Sequence, residues 1–159
     1  MRITVVAVGK IKEPFFQAAI EEYSRRLGRY CKLDIIQVAD EKTPDGAGAA
    51  LEEQIKGKEG ERILSSIKDG SFVVALAIEG TMVDSVELAS QIEKWGVSGI
   101  SRIVFVIGGS LGLSKAVLAR ADYKLSFSRM TFPHQLMRVI LLEQIYRSYR
   151  IVNGEPYHK

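Results

Sequence analysis

The sequence predicts an α/β fold, in which a mostly parallel sheet of five to six strands is covered by helices on both faces. Apolar runs of strand length alternate with segments whose apolar residues recur every three to four positions. The strand-like runs are almost continuously apolar, as is typical of strands buried on both faces of a parallel sheet. No repeat, low-complexity stretch or linker interrupts the pattern, so residues 1–159 are predicted to form a single domain.

Two strands and two helices are predicted in the first half of the chain. Pro14 suits the first turn of a helix, where its missing N–H is not needed, and apolar residues keep one helix face as far as Leu27. Gly57 and Gly60 weaken the middle of the second helix. The predicted order is a strand over 3–8, a helix from Pro14 that ends by Gly28 or Tyr30, a strand over 33–38, a loop over 40–48 and a helix over about 49–67.

Three strands and three helices are predicted in the second half. The run 72–78 is the most apolar strand, and Glu79-Gly80-Thr81 is its expected exit turn. Ser85 and Ser114 are placed to cap the helices that follow them. The predicted order is a strand over 72–78, a helix capped by Ser85 and closed by Gly96, a strand over 102–107, a helix capped by Ser114, a strand over 124–127 and a helix from His134 to about Arg150.

The candidate site lies where strands end, because ligands of open α/β sheets bind outside the carboxyl ends of the strands. Three such ends stand out, at residues 76–80, 107–112 and 125–132. Their glycines would let a ligand approach the main chain, although plain turns are the alternative interpretation. The segment 108–114 lacks the Gly-Lys-Ser/Thr ending of a phosphate-binding loop, which argues against an ATP-binding protein.

Composition excludes several classes of protein. Cys31 is the single cysteine, so an intramolecular disulfide is impossible, and one thiol with two histidines is too few for a zinc site. We therefore expect no metal. The apolar run near the start is too short for a signal peptide or a membrane span, and a cytoplasmic protein without a membrane partner is expected.

The net charge of +3 is unevenly distributed. Residues 1–70 contain twelve basic and twelve acidic side chains, whereas residues 123–159 contain six basic and two acidic ones. The positive excess therefore lies beside the candidate site. Such a field attracts anions, including RNA phosphates, although an ordinary solvated face has the same composition.

Short motifs spread over the whole chain resemble one family in order and spacing. On these motifs the chain resembles the RlmH family, which consists of SPOUT-class methyltransferases that act on large-subunit ribosomal RNA. The motifs are Val8-Gly9-Lys10, Tyr23-Ser24-Arg25-Arg26-Leu27, Val106-Ile107-Gly108-Gly109, Leu125-Ser126-Phe127-Ser128, Thr131-Phe132-Pro133-His134, Arg138-Val139, Glu143-Gln144-Ile145-Tyr146-Arg147 and Pro156-Tyr157-His158.

The resemblance implies a fold that periodicity does not predict, since knotted chains are rare. SPOUT proteins pass a C-terminal segment through a loop and form a deep trefoil knot. Here the knotted cofactor region would span about 72–150, and the knot crossing would supply the pocket for S-adenosylmethionine. The cofactor-binding residues that the resemblance implies are Leu76, Ala77, Gly80, Ile107, Gly108, Gly109, Leu125, Ser126, Phe127, Ser128, Arg129, Met130, Thr131, Phe132 and Leu136.

The resemblance also implies the reaction, which is methylation of N3 of a pseudouridine in the helix-69 hairpin of 23S ribosomal RNA within the ribosome. His158 is the candidate catalytic residue near the acceptor, and Tyr157 would stack on or orient the base. Arg129, Arg138 and Lys159 are candidate RNA contacts, with stabilisation of the loops as the alternative for the two arginines. His134 is expected to order its loop or cap the last helix, and a solvated face is expected for Arg25, Arg26 and Arg29.

The last helix predicts a second subunit. Residues 136–142 hold six apolar side chains around Arg138, so this helix must bury more than one face. The family forms homodimers through this region, with the tail of one subunit reaching the cofactor of the other. A non-catalytic ribosome-binding assembly factor on the same fold is the alternative function, and the intact glycine turn and the Tyr157-His158 ending argue against it.

Overall fold

One five-stranded sheet organises the chain. The structure is a computed structural model that describes residues 1–159, and its strands alternate with its helices in sequence. The strands are β1 (Arg2–Val8), β2 (Lys32–Val38), β3 (Phe72–Met82), β4 (Arg102–Ile107) and β5 (Tyr123–Ser126). The helices are α1 (Pro14–Leu27), α2 (Ala49–Ser65), α3 (Ser85–Val97), α4 (Lys115–Arg120) and α5 (His134–Val152).

All neighbouring strands are parallel, and the α/β class is confirmed. The strand order is β2-β1-β4-β3-β5, with Val5 of β1 opposite Ile35 and Phe105. Parallel neighbours need crossover connections, which the helices supply. The carboxyl ends of the strands therefore meet at one edge of the sheet. The trefoil knot stays a prediction.

Helices cover both faces of the sheet, as expected. In β4, Ile103, Phe105 and Ile107 belong to the core under α1, α3 and α5. Val104 and Val106 belong to the core under α2 and α4. Phe105 is fully buried, and burial of a side chain of this size contributes about 2 kcal/mol. The near-continuous apolar runs of the sequence reflect this burial on both faces.

Residues 79–81 do not form an exit turn, and that prediction is wrong. They belong to β3, which bulges so that Leu125 of β5 pairs with both Leu76 and Thr81. At Gly80 the two strands approach so closely that a Cβ would lie 2.8 Å from the carbonyl carbon of Lys124. The glycine read as a turn residue is therefore required by a close strand contact.

Two helix ends also differ from the prediction. Asp84, not Ser85, caps α3, because its carboxylate accepts the Glu87 N–H at 2.7 Å while Glu87 accepts the Asp84 N–H at 3.3 Å. Ser85 instead donates to Oε1 of Gln144 at 2.7 Å and so links α3 to α5. Helix α3 continues past Gly96 to Val97. The predicted cap at Ser114 is confirmed, since its hydroxyl accepts the Val117 N–H at 3.2 Å.

Candidate functional site

A cavity of about 880 Å³ lies where β4 and β5 end and where β3 bulges. Its apolar walls come from leucine, isoleucine and phenylalanine side chains of these three segments. A volume of this size suits a cofactor-sized ligand, for which cavities of about 300–1,000 Å³ are typical. The predicted residues that line it are Leu76, Ala77, Ile107, Gly108, Gly109, Leu125, Ser126, Phe127, Ser128, Met130, Thr131 and Phe132.

Three predicted cofactor residues lie outside the cavity lining. Gly80 faces the backbone of Lys124 in the neighbouring strand, as described above. Arg129 is exposed on the loop after β5. Leu136 is an exposed residue of α5, while His134 and Met137, three positions apart on the helix, line the cavity instead. Helical periodicity could have identified Met137 from His134.

Sequence reasoning also missed the charged side of the cavity. Glu53 and Lys56 of α2 and Lys115 of α4 line it, and Lys56 pairs with Glu53 at 2.6 Å. The hydrogen bond from Lys56 lowers the pKa of Glu53. No local pattern marks these residues, because only the packing of α2 against α4 brings them to the site.

The glycine turn (residues 108–112) closes on itself. The Gly112 N–H donates to the Gly109 carbonyl at 3.1 Å, and Gly112 has a φ of +89°, which favours glycine. A Cβ on Gly108 would lie 2.8 Å from the carbonyl carbon of Gly112. Glycine at 108 is therefore required by the turn itself, in addition to any approach of a ligand.

Arg138 joins α5 to the ends of β1 and β2 from inside the protein. One terminal nitrogen, Nη2, donates to the carbonyls of Val8 and Gly9, both at 2.8 Å, and Nη1 donates to Oε1 of Gln37 at 3.0 Å. The residue is 2% exposed, and burial lowers its pKa. The prediction of an RNA contact at Arg138 is corrected: its guanidinium is directed at buried carbonyls, which supports the alternative that it stabilises the loops.

His134 has an unsatisfied ring nitrogen beside the cavity. Nδ1 is buried without a hydrogen-bond partner, and the side chain makes no capping bond to α5. Burial is the main cause that lowers the pKa of His134, and the charge of Arg138 lowers it further. The ring is therefore neutral at neutral pH, and its Nδ1 is left unpaired in the interior.

The tail (residues 153–159) lies on its own α5. Tyr157 donates its hydroxyl to Oε1 of Glu143 at 2.8 Å, and Nη1 of Arg147 is 3.1 Å from Nδ1 of His158. Arg147 also lies over the Tyr157 ring, 4.6 Å from its centre. Burial raises the pKa of Tyr157, and the hydrogen bond to Glu143 raises it further.

This position keeps the tail away from the cavity of the same subunit. Neither Tyr157 nor His158 lines that cavity. Met137 is the last residue of α5 that lines it, and Glu143 and Arg147, which hold the tail, are six and ten residues further along the helix, which corresponds to about 9 and 15 Å. The structure therefore does not bring the two predicted catalytic residues together with the predicted cofactor residues within one chain.

Exposed basic side chains near the site divide into free and paired ones. Arg129 and Lys159 are exposed and make no ion pair. Arg25 and Arg26 pair with Glu22 at 2.8 and 3.0 Å. These two predicted RNA contacts are thus available to a phosphate without breaking an existing pair. No group of three or more His, Cys, Asp or Glu residues could hold a metal ion, and no helix is long and apolar enough to cross a membrane.

The fold and the site are those of a parallel α/β protein with a cofactor-sized cavity at its strand ends. Comparison with known proteins identifies the family. The family described as "Predicted SPOUT methyltransferase" matches residues 1–158, and the chain belongs to this family of methyl-donor-dependent enzymes. Among curated proteins, ribosomal RNA large subunit methyltransferase H of Bifidobacterium adolescentis is 64% identical, and those of Clostridium beijerinckii and Clostridium tetani are 62% and 60% identical. Each match covers 100% of both chains.

A solved structure supports the fold independently. The structure of a probable methylase family protein from Haemophilus influenzae Rd KW20 superposes with a TM-score of 0.53 at 14% identity. The match covers 99% of this chain and 70% of that one. At this identity the likeness concerns the fold alone.

Proposed function

We propose that this protein is an enzyme that transfers a methyl group from S-adenosylmethionine to N3 of a pseudouridine in the helix-69 hairpin of 23S ribosomal RNA. The observation that carries the proposal is full-length identity of 64% to a large-subunit ribosomal RNA methyltransferase, combined with the cavity at the strand ends. The expected partner is the cytoplasmic ribosome, which supplies a large folded substrate to a small protein.

The residues at the cavity fit S-adenosylmethionine. The volume of about 880 Å³ accommodates it, and apolar walls such as Leu76, Ile107 and Leu125 suit an adenine ring. Ser128 and Thr131, which also line the cavity, add hydroxyl groups that suit the polar parts of the ligand. When bound, S-adenosylmethionine supplies a methyl group on a sulfonium that is already activated for displacement. We also propose that residues 72–150 form the trefoil knot around this cavity.

The tail acts on the nucleobase. Tyr157 stacks on or orients the base, and His158 contacts it near N3. An arginine N–H can only donate, so Nδ1 of His158 accepts from Arg147, and the hydrogen of the neutral ring lies on Nε2. Nε2–H then donates to a carbonyl oxygen of the base and stabilises the charge that develops as the N3 proton leaves to solvent.

A homodimer completes the site. The tail lies on the second half of α5, about 9 to 15 Å of helix beyond the last residue of α5 that lines the cavity, and it does not line that cavity itself, so the cavity that it serves belongs to a second copy. Exposed Leu136 on α5 and exposed Phe15 on α1 provide apolar surface for such an interface. Arg129 and Lys159, which carry free charges, contact RNA phosphate in this arrangement.

The test uses purified ribosomes that carry or lack the pseudouridine, with mass spectrometry of the hairpin as the measurement. One added methyl group on the hairpin with pseudouridine, and none on the hairpin with uridine, is the expected result. Calorimetry with S-adenosylmethionine separates the enzyme from a non-catalytic assembly factor, which needs no cofactor affinity. Binding of ribosomes without cofactor binding or methylation contradicts the proposal.

A further inference from the structure

Tyr30, which follows α1, meets two side chains from the C-terminal end of the chain, Arg150 and Glu155, at the start of the tail. The carboxylate of Glu155 accepts from Nη1 of Arg150 at 2.6 Å, and the hydroxyl of Tyr30 lies 2.9 and 3.0 Å from its two oxygens. Arg150 also donates to the Tyr30 hydroxyl at 3.2 Å and to the Pro156 carbonyl at 3.1 Å. The hydroxyl, the guanidinium and the carboxylate are thus bonded to one another, and one donor of the guanidinium holds the tail backbone.

The cluster is rigid on the side of the protein body. The ring of Tyr30 stacks on Tyr149 at 5.5 Å with an interplanar angle of 10°, and it meets Tyr146 edge-on at 6.0 Å. The side chains of Arg150 and Glu155 are 17% and 20% exposed, so their ion pair is better shielded from water than a typical surface pair. Residues of chain termini otherwise remain poorly ordered.

We propose that Tyr30, Arg150 and Glu155 form a tail clip, a positioning device that orders the tail before the RNA arrives. This inference rests on the proposed function, in which Tyr157 and His158 act on the nucleobase. The clip lies within one subunit and fixes the direction in which that subunit presents its last residues. Ordering the tail in advance removes its conformational entropy from the binding and transfer steps.

The clip is separate from the forces that hold the fold. None of its three side chains belongs to the buried core, and none lines the cavity. Removal of a clip bond should therefore release the tail without unfolding the protein or changing its affinity for S-adenosylmethionine. A residue with a merely structural role would instead change both cofactor affinity and turnover together with stability.

The experiment compares Glu155→Gln, which removes the charge, with Tyr30→Phe, which removes the hydroxyl but keeps the stacked ring. Carboxypeptidase release of the last residues measures tail order without any use of activity. We expect release to become roughly tenfold faster and kcat on ribosomes roughly tenfold lower, with the KM for S-adenosylmethionine unchanged, as the loss of a charge-assisted bond requires. The double variant should lose less than the product of the two single effects.

Arg120→Lys is the matched control, because Arg120 also bridges a carboxylate and a carbonyl, those of Asp122 and Ser71, at 3.1 and 2.9 Å. It should change neither release nor kcat. Unchanged release in both clip variants, or faster release with unchanged kcat, overturns the clip. If the wild type methylates no ribosome, the proposed function fails, while the release rates still decide whether the clip orders the tail.

Discussion

Arg147 reaches Nδ1 of His158 at 3.1 Å, and this one contact fixes both the position and the tautomer of the last histidine. Arg147 is itself held by Glu143, whose Oε1 accepts from Nη2 at 2.9 Å. The same carboxylate oxygen accepts the hydroxyl of Tyr157. Glu143 and Arg147 therefore hold the tail in place, and they lie on the half of α5 that is remote from the cavity.

Removal of the His158 imidazole should impair methyl transfer and spare cofactor binding. With His158→Ala we expect kcat to fall about 100-fold, the range found when a hydrogen-bond donor to a developing charge is deleted. Calorimetry should give an unchanged affinity for S-adenosylmethionine, because His158 contacts the nucleobase and not the cofactor in the proposed site. His158→Gln, whose amide can still donate, should recover part of the rate. A collapse of cofactor affinity in either variant would show that the tail has another role.

Gly108→Ala should damage the cavity by distorting the glycine turn. The added methyl would lie 2.8 Å from the Gly112 carbonyl carbon, so the turn must open, at a cost of about 1–3 kcal/mol in unfolding free energy. Affinity for S-adenosylmethionine should fall with it. Gly57→Ala is the control, because nothing lies within 4 Å of its Cβ position in α2, and it should stabilise the protein by about 0.5–1 kcal/mol. If the two variants unfold at the same temperature, the glycine turn does not require glycine at position 108.

Arg138 and Arg129 should respond in opposite ways to substitution. Arg138→Lys loses the forked donation to two buried carbonyls, so we expect a loss of about 2 kcal/mol in stability. Arg129→Ala should leave stability unchanged and reduce the salt dependence of RNA binding by about one phosphate contact. Denaturant unfolding and binding at several salt concentrations measure the two effects. If Arg138→Lys changes the salt dependence of RNA binding and Arg129→Ala does not, then Arg138 and not Arg129 contacts the phosphate.

The sequence predicts the class and order of elements because burial on both faces leaves long apolar runs, and Pro14 and Ser114 mark helix starts by local chemistry. The same reasoning fails at residues 79–81, where it predicts a turn, because the bulge of β3 depends on its pairing with β5. Asp84 caps α3 in place of Ser85, because it lies one residue earlier and exchanges hydrogen bonds with Glu87.

Within the site, the motif residues of the three strand ends were predictable, while the charged wall was not. Glu53, Lys56 and Lys115 reach the cavity only through the packing of α2 on α4. The burial of Arg138 was equally hidden. An arginine among apolar residues fits a surface and a core alike until its partners, the carbonyls at the end of β1, are known.

Stability should depend on His134 at mildly acidic pH. The pKa of this ring lies below its usual 6.5, through burial first and Arg138 second, although Asp40 and Glu13 act in the opposite direction. The folded protein therefore binds a proton at His134 less readily than the unfolded chain does. The free energy of unfolding is highest above about pH 6.5 and decreases as the pH falls through the folded-state pKa of His134. His134→Gln should remove this dependence. Parallel unfolding curves for wild type and variant from about pH 7.5 to 5 would contradict the assignment.

Two inactive variants should restore activity when they form one dimer. Gly108→Val damages the cavity and leaves the tail intact, whereas His158→Ala does the reverse. If one subunit's tail serves the other's cavity, each mixed dimer holds one complete site, and co-expressed subunits that pair at random should regain about a quarter of wild-type activity. The variants purified separately and assayed together at once, before subunits exchange, provide the control and should stay inactive. A single chain that uses its own tail would gain nothing from co-expression, and a monomeric species with full activity in sedimentation would point the same way.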